Sequence, residues 1–214
     1  MRFEIFNKEK KYPFLVVDEW FSDKELSAVW SELNFYLHQP EIQRAETTLT
    51  ATDNRGNALS KSFRFYIDGY YSLPKVSHLL RYKNKFDDLE LKKHISEIKP
   101  YGRSFITSNF KNTLLSYYEE NDKYESHHDI TQWTCLIWMV KEPIAFTGGD
   151  FYFTEINEGI KLKNNRAVFF PSCYLHGVTP VIFKDKDNLN KGLGRFTITT
   201  FFDIDVNKGF AESE

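Results

Sequence analysis

Short apolar segments recur at near-regular intervals after residue 110, and they constrain the fold of this 214-residue chain more than any other feature. Gly, Pro and Asn separate the segments, which are rich in the aromatic and β-branched residues that favour strands. They are TLLSYYEE, WTCLIWMV, DFYFTEI, GIKLK, RAVFFPS and RFTITTFFDI. This pattern predicts antiparallel strands arranged as a sandwich or barrel.

Helical patterns precede the strands. Ser22 and Glu25 have the spacing of a capping box, with Phe21 and Leu26 placed as a hydrophobic staple, and an apolar stripe follows at helical spacing. A second helical region, of one or two helices, is predicted from residue 73 to residue 98, and Pro100 ends it. Because the helices come first, we predict an α+β fold: a double-stranded β-helix (jelly roll) of antiparallel strands with N-terminal helices packed on one face.

The length predicts a single domain over residues 1–214. Within it, residues 1–110 are interpreted as a helical support region and residues 111–205 as the jelly roll. The polar segment from Arg44 to Ser62 interrupts the support region and is long for a connection. Segments of that length are typical of lids and binding loops, so we interpret residues 44–62 as a substrate loop.

Composition excludes several function classes. The formal net charge of −2 offers no electrostatic attraction to nucleic acid or to an anionic membrane surface, and no apolar run reaches the length of a membrane helix. The only cysteines, Cys135 and Cys173, form no C-x-x-C pair and no disulfide framework. We expect a cytoplasmic protein whose partner is a peptide, a protein or a small-molecule substrate, while its oligomeric state has no sequence signal.

The segment KYESHHDI contains the candidate metal ligands. In an extended strand His127 and Asp129 face one side, whereas His128 faces the other. A third ligand is offered by His176, after the turn in FFPSCYLHGV. Two histidines and one carboxylate leave open positions on an octahedral ion and suit non-haem Fe(II). An H-x-D triplet also occurs by chance, and a single histidine is more often structural, so the residues alone leave both interpretations open.

A wider pattern surrounds these residues. A Y-x-x-G-x-x-Y-x-x-H-x-D motif is matched, with Asn in place of Gly, by Tyr118, Asn121, Tyr124, His127 and Asp129. Gly148 and Gly149 then precede a strand, and a Phe-Pro-Ser turn precedes His176. In this order the chain resembles the Fe(II)- and 2-oxoglutarate-dependent dioxygenases, in their prolyl 4-hydroxylase-like branch, over roughly residues 112–203. Asn tolerates the left-handed turn for which that family uses Gly.

The resemblance implies a reaction and its site. Metal binding and catalysis would belong to His127, Asp129 and His176, with Fe(II) as the metal, 2-oxoglutarate as co-substrate, O2 as oxidant and ascorbate as a further cofactor. Arg195 would bind the far carboxylate of 2-oxoglutarate, with Thr197 beside it on the same strand face. The reaction would convert 2-oxoglutarate to succinate and CO2 and hydroxylate a substrate C–H bond.

Some neighbouring residues stay ambiguous at this point. Tyr117 and Tyr118 alternate faces, so only one of them can contact 2-oxoglutarate, and strand parity places Tyr124 opposite His127. Trp133 and Trp138 are expected in the core. The segment FKDKDNLNKGLG, between His176 and Arg195, is interpreted as an exposed hairpin that preserves the register of the next strand.

The expected substrate is a peptidyl proline. The polar loop 44–62 and the insert 183–194 would wall an open groove, and aromatic side chains pack well against the proline ring. One alternative is a free amino acid or another small metabolite. A second is a non-catalytic jelly-roll module that binds a metal. Nucleic-acid demethylation is disfavoured because no second arginine follows Arg195 in RFTITTFF and the chain has no basic excess.

Overall fold

Two facing antiparallel sheets form the centre of the protein, and helices cover the outer face of the larger one. The computed structural model describes residues 1–47, 50–71, 73–156 and 158–208. Its strands are β1 (Arg2–Phe6), β2 (Phe14–Asp18), β3 (Gln43–Arg44), β4 (Ser60–Lys61), β5 (Phe63–Tyr66), β6 (Phe110–Tyr118), β7 (Lys123–His127), β8 (Trp133–Met139), β9 (Phe146–Gly148), β10 (Phe151–Phe153), β11 (Glu158–Ile160), β12 (Arg166–Pro171), β13 (His176–Val178), β14 (Val181–Phe183) and β15 (Arg195–Asp203). Its helices are α1 (Asp23–Tyr36), α2 (His78–Arg81), α3 (Leu89–Ser96) and α4 (Gly102–Thr107).

The larger sheet has the strand order β1-β2-β12-β8-β15-β6-β5-β3, and the smaller sheet has the order β11-β10-β13-β7-β4. Strands β9 and β14 form a separate antiparallel pair. All named pairings are antiparallel, as in the predicted double-stranded β-helix. The predicted fold class is therefore confirmed, and each of the six strand-like segments named from the sequence contributes a strand.

Strand alternation divides the apolar residues between two cores. Outward-facing side chains of the larger sheet, such as Leu15, Ile137 and Phe196, pack against the helices. Inward-facing side chains, such as Trp138, pack with Phe151 from the smaller sheet. Strand β15 places Phe196, Ile198 and Phe202 in the core next to the helices, while Arg195, Thr197 and Thr199 face the other side of the sheet. A shift of one residue in its register would therefore exchange these two sets.

Helix α1 begins as the sequence predicts. Ser22 and Glu25 form the capping box, in which the Ser22 backbone N–H donates to Glu25 Oε2 at 2.8 Å. Asn165 ties this end of the helix to the larger sheet: its side chain accepts from Phe21 N at 2.8 Å and donates to Phe21 O at 2.7 Å. The apolar stripe faces the sheet, with Val29 and Leu33 fully buried. Local capping and tertiary packing therefore favour the same helix.

The N-terminal half differs from the predicted helical support region in two respects. Strands β1, β2 and β5 lie within it and extend the larger sheet. The run FLVVD of β2 is buried on both faces, which removes the alternation that marks a half-exposed strand. The predicted helical region after residue 73 is also shorter than its apolar spacing suggested, because Val76 and Leu89 are exposed and only α2 and α3 are regular.

The insert before β15 is not a hairpin, which corrects the prediction. Strand β14 pairs with β9, and the residues after it form a short 3-10 turn at Lys186–Asn188. The Asn190 N–H donates to Glu119 Oε1 at 2.9 Å, so the segment folds back over the end of β6. The register of β15 is nevertheless regular from Arg195 to Asp203 against β6.

Candidate functional site

Two histidines and an aspartate converge where β7 and β13 meet. His127 is the last residue of β7, His176 is the first of β13, and the two residues are direct cross-strand partners. Asp129 lies two residues beyond β7, and its oxygens are 3.6 Å from His127 Nε2 and 3.5 Å from His176 Nε2. One ligand-type atom from each of the three residues lies within 4.8 Å of the others. This spacing suits a single metal ion.

Backbone carbonyls set the orientation of both imidazoles. His127 Nδ1 lies 2.9 Å from Glu125 O, and His176 Nδ1 lies 2.8 Å from Tyr174 O. A carbonyl only accepts, so each Nδ1 must carry its proton and each Nε2 presents a lone pair to the shared point. This is the tautomer that a metal-binding histidine requires.

Asp129 is held by hydrogen bonds from outside β7. Its backbone N–H donates to Ser172 O at 3.1 Å, and its Oδ2 accepts from Thr134 Oγ1 at 2.6 Å. Ser172 Oγ lies 2.9 Å from the same threonine hydroxyl. The Phe-Pro-Ser turn therefore positions the carboxylate as well as leading to His176.

Ionisation of the cluster favours metal binding. Burial raises the pKa of Asp129, but the adjacent histidines and the hydroxyl of Thr134 lower it by more, so the carboxyl pKa lies below its usual value. Burial lowers the pKa of His176 to about 4, against a smaller opposing effect of Asp129. A deprotonated carboxylate and a neutral imidazole are both metal ligands at neutral pH.

A β-bulge changes the expected position of Tyr124. His176 pairs with His127, but Val178 pairs with Tyr124, so β7 has one residue more than β13 in this interval. Tyr124 and His127 consequently face the same side, and their rings stack at a centroid distance of 3.6 Å. The parity prediction for Tyr124 is wrong for this reason. His128 is exposed and is not part of the ligand cluster.

The three residues open into a cavity of about 520 Å³ between the two sheets. Leu114, Leu136, Phe151 and Val178 give it apolar walls, and Ile130, which is fully exposed, stands at its edge. The cavity is open to the surface on that side. A small reactant can therefore be surrounded by apolar side chains while a larger molecule reaches in from outside.

Arg195 extends into this cavity from β15. The side chain is 0% exposed, and none of its three guanidinium nitrogens has a hydrogen-bond partner among the described residues. Its Cζ lies 5.0 Å from the ring centre of Tyr118 and 5.6 Å from that of Trp138. Burial lowers the pKa of Arg195 from its ordinary value. An unpaired buried cation of this kind is a binding site for an anion.

Thr197 lines the cavity two residues further along β15. Its hydroxyl is buried and also lacks a partner within the described part of the chain. Gly149 makes room for the arginine, because a Cβ there would lie 3.2 Å from Arg195 Cδ, and its φ of 67° favours glycine. Arg195 and Thr197 can thus donate to one anion.

Tyr118 and Tyr117 lie on opposite faces of β6. Tyr118 lines the cavity beside Arg195, and burial raises its pKa to about 12. Tyr117 packs against the helices and accepts a hydrogen bond from Gly194 N at 3.0 Å. The assignment of Tyr117 as a 2-oxoglutarate contact is therefore corrected, because the pleat of β6 directs it away from the cavity.

Other residues that line the cavity belong to none of the motifs identified in the sequence. Arg64 of β5 is only 5% exposed, lines the cavity and pairs in register with Ser116 of β6. Thr50 and Ala51, from the predicted substrate loop, line it too, and Thr50 Oγ1 lies 3.4 Å from the Tyr124 hydroxyl. Residues 48–49 of that loop lie outside the described residues. The sequence feature that could have indicated a site role for Arg64 is its position between two aromatic residues in FRFY.

The remaining motif residues have structural roles. Asn121 adopts a φ of 62°, the left-handed conformation expected of a residue in the glycine position. Trp133 and Trp138 are fully buried in the core, as predicted. The insert 183–194 is absent from the lining of the cavity, so its predicted role as a wall of the groove is wrong.

Residues 113–203 match the family model of the 2OG-Fe(II) oxygenase superfamily. The matched region contains all three metal-ligand candidates and Arg195. No curated protein matches the chain. No helix among the described residues is both long and apolar enough to cross a membrane.

Solved structures share the fold at low sequence identity. A prolyl-4-hydroxylase from Pseudomonas putida is 16% identical, with a TM-score of 0.62 over 91% of this chain and 94% of that chain. A prolyl hydroxylase from Trichoplax adhaerens, in complex with a hypoxia inducible factor peptide fragment, is 13% identical, with a TM-score of 0.64 over 94% and 87%. A viral collagen prolyl hydroxylase from Paramecium Bursaria Chlorella virus-1, solved with 2OG, is 14% identical, with a TM-score of 0.54 over 91% and 96%.

Proposed function

We propose that this chain, whose residues 113–203 match the family model of the 2OG-Fe(II) oxygenase superfamily, is an Fe(II)- and 2-oxoglutarate-dependent dioxygenase that hydroxylates a substrate C–H bond. One observation carries the proposal. The fully buried Arg195, whose guanidinium nitrogens have no hydrogen-bond partner among the described residues, opens into the same cavity as three convergent metal-ligand side chains. A non-catalytic metal-binding module has no need of a buried cation that lacks a partner.

The donor set fits an iron ion. His127 and His176 would bind it through Nε2, and Asp129 would bind it through the carboxylate, leaving other positions open for reactants. When bound together, Fe(II), 2-oxoglutarate and O2 supply a two-electron oxidation that is coupled to loss of CO2. The protein holds the ligands in the correct tautomer and keeps the carboxylate in place through Thr134 and Ser172.

Arg195 would bind the far carboxylate of 2-oxoglutarate. The guanidinium can donate two parallel hydrogen bonds to a carboxylate, and the Thr197 hydroxyl can donate a third. The aromatic faces of Tyr118 and Trp138 keep the guanidinium in position before the anion arrives. Preorganisation of this kind reduces the entropy cost of binding.

The apolar walls restrict water around the reacting atoms. Leu136, Phe151 and Val178 surround the space next to the histidines. A dry cavity strengthens the interaction of Arg195 with a carboxylate and limits unproductive oxidation of the protein. Tyr124, stacked on His127, also limits the movement of that imidazole.

We propose a peptidyl proline as the substrate. The cavity is open on the side of Ile130, where an extended chain could lie along the surface, and Thr50 and Ala51 of the loop 44–62 line the same cavity. Three similar folds belong to prolyl hydroxylases, and one of them was solved in complex with a peptide fragment. A free amino acid or small metabolite is the alternative, favoured by the second arginine, Arg64, in the cavity wall.

Mass spectrometry of reaction products tests the substrate class. The iron-loaded protein with 2-oxoglutarate and O2 should add 16 Da to proline-containing peptides, and peptides in which alanine replaces that proline serve as controls. Oxidation of free amino acids alone, with every peptide inert, would contradict the peptidyl assignment while leaving the oxygenase assignment intact.

We also propose a reducing cytoplasmic compartment and ascorbate as an accessory cofactor. Cys135 is buried and Cys173 is exposed, and both are free thiols, as in a reducing cytoplasm. Ascorbate would serve to return the metal to Fe(II) after an uncoupled turnover, so adding it should prolong activity and leave the initial rate unchanged.

A further inference from the structure

A second cavity, of about 680 Å³, lies on the opposite side of the larger sheet from the metal-ligand cluster. The C-terminal end of α1, the strands β5 and β6, and the insert before β15 surround it. Tyr117 faces this cavity, whereas its neighbour Tyr118 faces the first one. The two cavities are therefore separated by the thickness of β6.

Glu119 contributes a buried carboxylate to the second cavity. The residue is 9% exposed, and its Oε1 accepts from the Asn190 N–H at 2.9 Å. Its Oε2 is buried and has no hydrogen-bond partner among the residues that the structure describes. Burial raises the pKa of Tyr117, and the neighbouring Glu119 carboxylate raises it further, so the Tyr117 hydroxyl stays protonated beside this carboxylate. A carboxylate oxygen buried without a hydrogen bond of its own is costly, and a ligand can supply the missing donor.

Two lysines provide the opposite charge in the same cavity. Lys141 and Lys191 both line it, and neither belongs to an ion pair within the described ranges. Lys141 is half-buried, and its Nζ lies 5.9 Å from the ring centre of Trp30 and close to Gly192. Lys191, in the insert, is exposed at the edge of the cavity.

This charge pattern selects among ligands. A simple anion would be repelled by Glu119, and a simple amine would be repelled by the two lysines. A molecule with both an ammonium and a carboxylate group satisfies the buried Oε2 and at least one lysine. We propose that this cavity is a second binding site, and that it takes a zwitterion of amino-acid size, with its ammonium group at Glu119 and its carboxylate at Lys141 and Lys191.

The ligand would contact the chain segment that leads into Arg195. Asn190 and Gly192 line the cavity, and Gly194 is hydrogen-bonded to the Tyr117 hydroxyl at 3.0 Å. The inference does not depend on the proposed oxygenase reaction, because it concerns binding on the other face of the sheet. The experiment that tests it therefore measures ligand binding and not turnover.

Calorimetric titration with each free L-amino acid tests the site, using the protein loaded with Fe(II) and 2-oxoglutarate under anaerobic conditions. At least one amino acid should bind with one site per chain. Glu119→Gln keeps the size of the side chain and an acceptor for Asn190, and it should raise the Kd at least tenfold. The N-acetyl and α-amide derivatives of the same amino acid should bind the wild-type protein no more tightly than the free amino acid binds Glu119→Gln.

Two further variants separate this site from the metal site and from a folding defect. His176→Ala should leave the amino-acid affinity within twofold of wild type. The double variant Lys141→Met, Lys191→Met should weaken binding without altering the far-UV circular dichroism. Absence of binding to the wild type, equal binding to Glu119→Gln, or loss of binding only in His176→Ala would overturn the proposal.

Discussion

Replacing Arg195 by methionine separates anion binding from metal binding in the first cavity. Methionine is long and uncharged, so Arg195→Met removes the guanidinium while keeping much of the packing in β15. The wild-type side chain is 0% exposed, and its three nitrogens have no partner in the described part of the protein. A bound carboxylate would be the principal partner of this charge.

The expected magnitude comes from the cost of leaving a buried charge unpaired. Removing one member of a buried, hydrogen-bonded charge pair costs about 3 kcal/mol or more, and each 1.4 kcal/mol is tenfold in affinity. We therefore expect Arg195→Met to raise the 2-oxoglutarate concentration needed for half-maximal succinate formation by on the order of 100-fold. The iron content should stay near that of the wild type, because Arg195 is not a metal-ligand candidate.

Stability without 2-oxoglutarate provides an independent check. Removing unsatisfied donors gains about 1–3 kcal/mol, while losing the contacts with two aromatic rings costs about 0.5–1 kcal/mol each. The two effects nearly offset each other, so the free energy of unfolding should stay within about 2 kcal/mol of the wild type. A buried arginine that was already paired would instead cost 3–5 kcal/mol, as a rough guide, when truncated.

The assay is a 2-oxoglutarate titration at fixed Fe(II), with succinate as the readout. Arg195→Lys should lie between the wild type and Arg195→Met, because it keeps the charge and loses the bidentate geometry. Lys161→Met, an exposed substitution immediately after β11 and outside the cavity lining, controls for the general loss of one cation. An unchanged 2-oxoglutarate requirement in Arg195→Met would refute the reasoning, whatever its effect on stability.

Three further predictions concern the ligands, the two faces of β6 and an ion pair. His176→Ala should reduce bound iron greatly, whereas His128→Ala should leave about one iron per chain; metal analysis after gel filtration checks this, and the reverse result would sink the ligand assignment. Tyr118→Ala should raise the 2-oxoglutarate requirement several-fold, as expected for a cation–π contact of about 1 kcal/mol, while Tyr117→Ala should chiefly lower the unfolding temperature. Hydrogen bonds from Arg166 lower the pKa of Asp18 from 3.8 to about 2, so the unfolded chain binds more protons in that interval. Asp18→Asn should therefore cost roughly 2 kcal/mol at pH 7 and almost nothing at pH 2, as measured by urea denaturation; an equal cost at both pH values would contradict the assignment.

Regular local patterns predicted much of the fold. The capping box and apolar stripe of α1 are local, and the structure confirms both. Strands β6, β8, β12 and β15 are long and rich in strand-forming residues, so their existence and their alternating faces could be predicted. The position of Arg195 on the inner face of β15, opposite Phe196, follows from the same alternation.

Features set by pairing between distant segments could not be predicted. The bulge in β7 depends on how it pairs with β13, and it moves Tyr124 to the face of His127. Strand β2 is buried on both faces because its alternate residues pack into different cores, Leu15 and Val17 on the helix side and Phe14 and Val16 on the side of the smaller sheet. The course of the insert is likewise determined by Glu119, which lies 71 residues before Asn190 in the chain.

Only part of the site was visible in the sequence. The ligand candidates His127, Asp129 and His176 have recognisable spacing and surroundings, and the structure brings them together. Arg64 and Thr50 reach the same cavity from a region with no motif, because the fold places β5 beside β6 and the polar loop beside Tyr124. Tertiary arrangement, and not local preference, decides such positions.

The most direct test of the central claim is whether 2-oxoglutarate is converted to succinate only when the three ligand candidates and iron are present. The account predicts succinate formation by the wild type with Fe(II) and O2, its loss with a chelator and its recovery when Fe(II) is added back. It also predicts near-complete loss in Asp129→Ala and His176→Ala, both shown to be folded by circular dichroism. Iron-independent succinate formation, or full activity in both variants, would contradict the account.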